Sequence, residues 1–200
     1  MSIHFGADST AIHSASGLGI AKQIIHKQDG TRQSTTTRIT GNNFTSGYEI
    51  SNLTITMTPT DATTVFHITG SLCATHYQSY TGKLWVTWQV SGGSEKMITS
   101  SQDSNHKSTY AINSATDDTT SFGNAPIPIN IMLDHGTTSA ITIRLRCATT
   151  WTSGRVAINR DLGDNTNSNN DSHGMISALM VTEYTDAITT LSETNIYNNT

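Results

Sequence analysis

Histidine is the first side chain to test for chemistry, because the chain carries eight of them, enough for a metal site or a general base. No two show the His-x-x-x-His helical spacing through which zinc enzymes offer paired imidazoles. His4 and His13 lie near the start, where several copies of a chain could converge imidazoles on an axis. The simpler reading of both is a polar residue in an attachment segment, so no metal and no other cofactor is expected. His67 stands out of phase with Phe66 and Ile68, which marks a polar or interface position rather than a ligand. Residues 161–171 offer Asp164, Thr166, Ser168 and Asn170 at alternate positions, hard oxygen donors that suit calcium. The loop lacks the central glycine and terminal glutamate of an EF-hand, so a solvated loop is the better expectation. Ser, His and Asp are plentiful, but no Gly-x-Ser-x-Gly nucleophile elbow is present. Gly17-Leu18-Gly19 and Gly92-Gly93 read as turn glycines without a phosphate-binding fingerprint. The acids Asp61, Asp103, Asp117 and Asp118 are too scattered to suggest the paired carboxylates of a glycan hydrolase. No residue is assigned a catalytic role, and the chain is not expected to be an enzyme.

Arginine and the aromatics point instead to contacts. Arg144, Arg146, Arg155 and Arg160 cluster late in the chain, and Arg144, Arg146 and Arg160 are candidate subunit-interface residues. Their guanidinium forks suit Glu49, Asp134 or Glu183 as carboxylate partners. Trp85 and Trp88 are three apart, so a regular strand sends them to opposite faces. Trp88 shares the phase of Leu84 and Val86, and Trp85 is therefore expected to face outward or into an interface. Together with Tyr77 and Tyr80, Trp85 is also a candidate glycan contact, although subunit contact is the simpler explanation.

The elements that must position these residues are strands. Of the 200 residues, 34% are hydrophobic and 13% charged, while Thr and Ser supply roughly three in ten. Thr suits a pleated surface, and Asn, Gly and Ser suit turns. Period-two alternation predicts strands over 20–28, 48–58, 64–76, 83–91, 127–133, 139–149, 155–159 and 175–184, with a weaker one over 108–113. A polar stretch separates the first two. Pro126 and Pro128 suit an edge strand or a strand start. This is an all-β chain, read as a single jelly-roll β-sandwich over residues 20–185, with an extended N-terminal arm at 1–19 and a polar tail at 186–200. Within the arm, Ile3 and Phe5 alternate before a turn and Ile12 follows it. Too small to bury its apolar side chains alone, the arm is expected to attach or trimerise. The net charge of -4 gives no basic footprint for nucleic acid. No apolar run approaches a membrane span, and the start lacks the pattern of a secretory signal. Cys73 and Cys147 are read as buried thiols.

Residues 152–184 carry a longer pattern. Ser153, Gly154, Val156, Ile158, Asn159 and Arg160 are followed by an Asp/Asn-rich loop, then by Ser177, Leu179, Val181 and Glu183. Their order and spacing resemble the C-terminal end of virion structural proteins of tailed phages, of the fibre-head and capsid-decoration type. The arm is similar to the I-x-F segment that precedes many phage fibre heads. This resemblance implies a jelly-roll head of the tumour-necrosis-factor and C1q kind, associated as a homotrimer. It implies a virion protein assembled in the bacterial cytoplasm, acting as capsid decoration (cement) or as a fibre head beside other capsid or tail proteins. The alternative is a tail-fibre receptor-binding or lectin-like module that takes a host surface glycan. Neither reading involves nucleic acid or insertion into a membrane.

Overall fold

The computed structural model describes residues 21–39, 44–77, 82–98, 110–112, 126–149, 154–159 and 175–185. The arm with Ile3, Phe5 and Ile12, and the polar tail, lie outside them, as do His4, His13, Tyr80, Trp151, Ser153, Arg160 and the 161–171 loop. Twelve strands are present among the described residues: β1 (Ala21–Asp29), β2 (Gln33–Thr35), β3 (Tyr48–Glu49), β4 (Ile55–Met57), β5 (Val65–Tyr77), β6 (Gly82–Val90), β7 (Lys96–Ile98), β8 (Tyr110–Ile112), β9 (Pro126–Asp134), β10 (Ile141–Thr149), β11 (Arg155–Ile158) and β12 (Ser177–Tyr184). All ladders between them are antiparallel.

Several short strands lie end to end along one partner. Arg155–Ile158 pairs with the second half of β5, from Tyr77 back to Ala74, and Ala178–Tyr184 pairs with its first half, from Ser71 back to Val65. β11 and β12 are thus two halves of one strand position, which the chain leaves at Asn159 and rejoins at Ser177. β7 and β8 divide the edge of β6 in the same way, β3 and β4 that of β10, and β1 and β2 that of β12 and β11. Counting each such pair once leaves eight positions in chain order. Positions 1-8-3-6 form the first sheet and 2-7-4-5 the second. That order is a jelly roll, in which successive strand positions pass between two facing sheets at every step except from the fourth to the fifth, which are neighbours in one sheet.

Alternation explains the core. On β10, Ile141, Ile143, Leu145 and Cys147 are fully buried between the sheets, and on β9 Ile129, Ile131 and Leu133 meet them from the other side. Phe66, Ile68, Leu72 and Ala74 line the inner face of β5. Each large side chain removed from water here contributes about 1.5–3 kcal/mol. Pro126 and Pro128 sit on β9, which pairs only with β5 among the described residues, so no ladder hydrogen bond is lost on their outer side.

Three local expectations change. The strand expected over 48–58 is broken by a 3-10 turn at Ser51–Leu53. That turn buries both Ile50 and Leu53, which stand three apart and in an unbroken strand would point to opposite faces. The polar stretch after β1 contains β2, held by its register with β11. Lys96–Ile98 forms β7 against Val86–Trp88. Cys73 and Cys147 are free and buried, one in each sheet.

Candidate functional site

The strand register brings two of the expected arginines, Arg144 and Arg146, together on the outer face of the second sheet. Arg155 lies on β11 in the first sheet, and Arg160 is outside the described residues. Arg146 lies opposite Glu49 on β3 and opposite Trp85 on β6, and Arg144 lies opposite Thr87. Arg146 donates through Nε to Glu95 Oε1 at 2.7 Å and through Nη2 to Glu95 Oε2 at 3.1 Å. It also donates to Glu49 Oε2 at 3.2 Å and to the Gly47 carbonyl at 2.9 Å. The two-pronged contact with Glu95 is the planar fork that arginine offers to a carboxylate. Thr87 adds a hydroxyl to Glu95 Oε1, and Thr54 adds one to Glu49 Oε1. Burial alone would raise the carboxyl of Glu95. The hydrogen bonds from Arg146 and Thr87 and the charges of both arginines outweigh it, and hold it below the usual glutamate range. Arg144 is held more loosely, 3.5 Å from Glu49.

Arg146 is therefore not an exposed interface residue: its side chain is 10% exposed and each of its three guanidinium nitrogens has an acceptor within the chain. Of the carboxylates expected to pair with the arginines, Glu49 does so. Glu183 faces the interior at the other end of the sandwich, and Glu95, which was not expected, takes the strongest contact. Glu95 sits two residues before Met97, so its position follows only once β7 is recognised.

Trp85 lies opposite in phase to the core, as its spacing from Trp88 requires, but it is 1% exposed. Met97 and Ala148 pack beside it, and Ile39 and Phe44 from the segment before β3 cover it. Gly47 permits this approach, because a Cβ there would stand 2.2 Å from Trp85 Cζ2. The expectation that Trp85 meets a neighbouring subunit or a glycan is corrected for that reason: the chain covers this face itself. Tyr77 ends β5, and its partner in the glycan expectation, Tyr80, lies beyond the described residues.

A second polar cluster surrounds Asn159, whose backbone is left-handed at φ 56°. Its N–H donates to the Cys73 carbonyl at 2.9 Å. Nδ2 donates to the carbonyls of Asp29 at 2.8 Å and Thr31 at 3.2 Å, and Oδ1 accepts from Ser177 Oγ at 2.6 Å. Ser177 Oγ in turn accepts from the Cys73 N–H at 3.0 Å. Asparagine tolerates this backbone conformation better than other residues with a side chain. Asn159 and Ser177 thus join the two ends of the interrupted strand to each other, to β5, and to the turn between β1 and β2. The Asp29 carboxylate stiffens that turn, accepting from Thr31, Gln33 and Asn52.

The third cluster lies where β5 begins and β12 ends. The Glu183 carboxylate accepts from Thr60 N–H at 2.7 Å, Thr60 Oγ1 at 2.8 Å, Thr64 Oγ1 at 2.6 Å and Gln23 Nε2 at 2.5 Å. Burial works to raise its carboxyl, and these hydrogen bonds outweigh it, leaving it below the ordinary range. His135 Nε2 lies 3.3 Å from Thr64 Oγ1, and its ring tilts against Phe66. Burial pushes this imidazole below its usual pKa despite the nearby Asp134 and Glu183. A hydroxyl, an imidazole and a carboxylate are close here, yet the carboxylate binds the hydroxyl rather than orienting the imidazole. Thr64 is also buried, so the trio is not a nucleophile with a general base.

Each of the three clusters serves architecture. The outer face of the second sheet, the broken last strand and the closed end near Glu183 are fastened by hydrogen bonds within one chain. Among the described residues no group of three metal-ligating side chains converges.

The strand order and these internally bonded clusters define the class, an antiparallel jelly-roll sandwich. No known family model matches the sequence, and no curated protein matches it. Among solved structures, it is similar to one of the Gx strain of infectious bursal disease virus, at 11% identity and a TM-score of 0.36, over 82% of this chain and 37% of that one. It is also similar to the VP2 subviral particle of that virus, at 14% identity and a TM-score of 0.35, again over 82% of this chain and 37% of the other. The chain spans little more than a third of the length of either. The assignment to the jelly roll rests on the strand order described above.

Proposed function

We propose that this chain is a structural protein of a virion: a jelly-roll knob, gathered in three copies, that decorates a phage capsid or forms a fibre head. The observation that carries the reading is the pattern from Gly154 to Glu183, which resembles phage fibre and decoration proteins. Its described members are the residues on which the last strand position depends. Val156, Ile158, Leu179 and Val181 fill the core, Asn159 and Ser177 close the break, and Glu183 fastens the end. A pattern of that kind marks a shared way of building a head, and a rigid head suits mechanical work. Residues 1–19 would attach it to the particle.

Gold-labelled antibody against the purified chain, applied to phage particles, tests the reading. Label over the head supports decoration, label over the tail supports a fibre, and particles free of label overturn both. Light scattering coupled to size exclusion tests the copy number, with a mass that is a multiple of three chains of 21.5 kDa expected where the arm gathers three copies. The glycan-binding alternative is weakened, because Trp85 is covered by its own chain.

A further inference from the structure

The two outer faces of the sandwich differ in kind. That of the second sheet carries Arg144, Arg146, Glu49 and Glu95, and the chain covers part of it. On the outer face of the first sheet, the outward positions of β12 from Ala178 to Tyr184, and of β5 from Val65 to Ser71, carry no Lys, Arg, Asp or Glu. The two large hydrophobic side chains that stand most exposed among the described residues belong to this face. They are Ile24 on β1, 59% exposed, and Ile176 just before β12, 61% exposed. Polar atoms here also find partners inside the face, as His67 Nε2 does with Asn130 Oδ1 at 2.7 Å. A surface with an uncharged centre, exposed aliphatics and satisfied polar groups loses little on leaving water.

We propose that this face, formed by β1, β12, β5 and β9, pairs with the same face of a second copy about a two-fold axis parallel to the strands. The register argues for a second copy in particular. Across the sheet, one row runs from Ala21 through Tyr184 and Val65 to Asp134, and the next from Ile24 through Thr182 and His67 to Met132. Lys22 stands beside Ala21 in a bulge, where it also feels the charge of Asp61. An axis along the middle of the face lays β1 of one copy over β9 of the other. Lys22 then meets Asp134 and Ile24 meets Met132, each twice, so the corner charges are complementary and the aliphatics meet. A two-fold contact is self-matching in this way. Four strands of about eight residues present roughly 500 Å² of projected face at the usual strand spacing and rise. Side-chain relief brings its accessible area toward the ~800 Å² per partner of a standard interface. The contact is additional to any three-fold contact made through the arm.

Light scattering on the full chain tests this with Ile24→Glu, Lys22→Glu, Asp134→Lys and the Lys22→Glu/Asp134→Lys double variant. The positions are at the surface, and circular dichroism with a urea midpoint verifies that each variant folds. The wild type is expected to hold an even number of chains, two, or six where the arm gathers three. Ile24→Glu and each single charge reversal are expected to halve that number. Each should raise the dissociation constant of the pair roughly tenfold or more, because like charges then face each other or an acid meets Met132. The double variant is expected to restore pairing. A wild-type mass of one or three chains overturns the paired face, and three chains does so while leaving the trimer proposal standing. An even mass that the folded variants leave unchanged also overturns the face, without touching self-association.

Discussion

Replacing Asn159 tests its architectural role at the break between β11 and β12. Asn159→Ala removes three side-chain hydrogen bonds, from Nδ2 to Asp29 and Thr31 and from Ser177 to Oδ1. At a net ~1 kcal/mol each in a buried setting, their loss costs about 3 kcal/mol. The φ of 56° adds about 1 kcal/mol for alanine, which enters left-handed backbone reluctantly. Asn159→Ala is therefore expected to lose about 4 kcal/mol. Asn159→Gly, which escapes the strain but not the lost bonds, is expected to lose about 1 kcal/mol less. Ser177→Ala forfeits two bonds, one from Cys73 N–H and one to Asn159, and should cost about 2 kcal/mol. The double variant Asn159→Ala/Ser177→Ala should cost less than the sum by about 1 kcal/mol, the bond the two share. Urea titrations at one fixed protein concentration, followed by circular dichroism, give these values from the midpoints with the slope unchanged. A loss below ~1 kcal/mol in Asn159→Ala, or equal losses for alanine and glycine, would refute the view that this residue closes the broken strand.

Acidification should destabilise the fold through two kinds of group. Glu183, Asp29 and Glu95 are held below their ordinary values in the fold, so their contribution is complete above the unfolded carboxylate range and is lost as pH falls through the folded values. His135 is also lowered, so the unfolded chain takes up its proton first and stability begins to fall below its unfolded pKa of about 6.5. Urea midpoints from pH 8 to about pH 2 should decline first through His135 and then through the carboxylates, Glu183→Gln should flatten the lower limb, and a midpoint that rises on acidification would contradict the assignments. Arg146→Ala strands Glu95 in a nearly buried setting and should cost about 3 kcal/mol, whereas Arg144→Ala, with its single looser pair, should cost under about 1 kcal/mol. Equal losses in the two, read by the same titration, would mean that Glu95 is not the principal partner. Gly47→Ala forces a Cβ against Trp85 and should cost about 1–3 kcal/mol, with a shift in tryptophan emission, and an unshifted spectrum would argue against the close approach.

Much of the fold was legible because alternation is local. The inner-facing isoleucines of β9 and β10, the core phase of Trp88 against Trp85, and the edge placement of Pro126 and Pro128 all follow from period two and from the missing N–H of proline. The short strands were less legible. Gln33–Thr35 has no apolar alternation and exists because Val156–Ile158 offers it a ladder, a long-range cause that no local window contains. The break at Ser51–Leu53 was hidden for a related reason, since Leu53, Ile55 and Met57 alternate well and only the burial of Ile50 beside them requires a turn.

The arginines show the limit more sharply. Alternation puts Arg144 and Arg146 on an outer face, and an outer face ordinarily means solvent or a partner. Whether it meets water depends on what the chain lays across it, here Phe44 and Ile39 over Trp85 and Glu95 against Arg146. Those residues come from segments about 50 and 100 positions away, so the coverage is not written near the strand that it protects. The first sheet shows the converse. Ile24 is as apolar as its core-facing neighbour Ile25, and only the register with Thr182 sends it outward, where it stays exposed. Period two assigns residues to sides; tertiary coverage decides which side is spent within the chain and which is left for contact. In this jelly roll the face bearing Arg144 and Arg146 is largely spent within the chain. The face that keeps Ile24 exposed carries no Lys, Arg, Asp or Glu at the outward positions of its central strands, the reverse of what charge alone suggests.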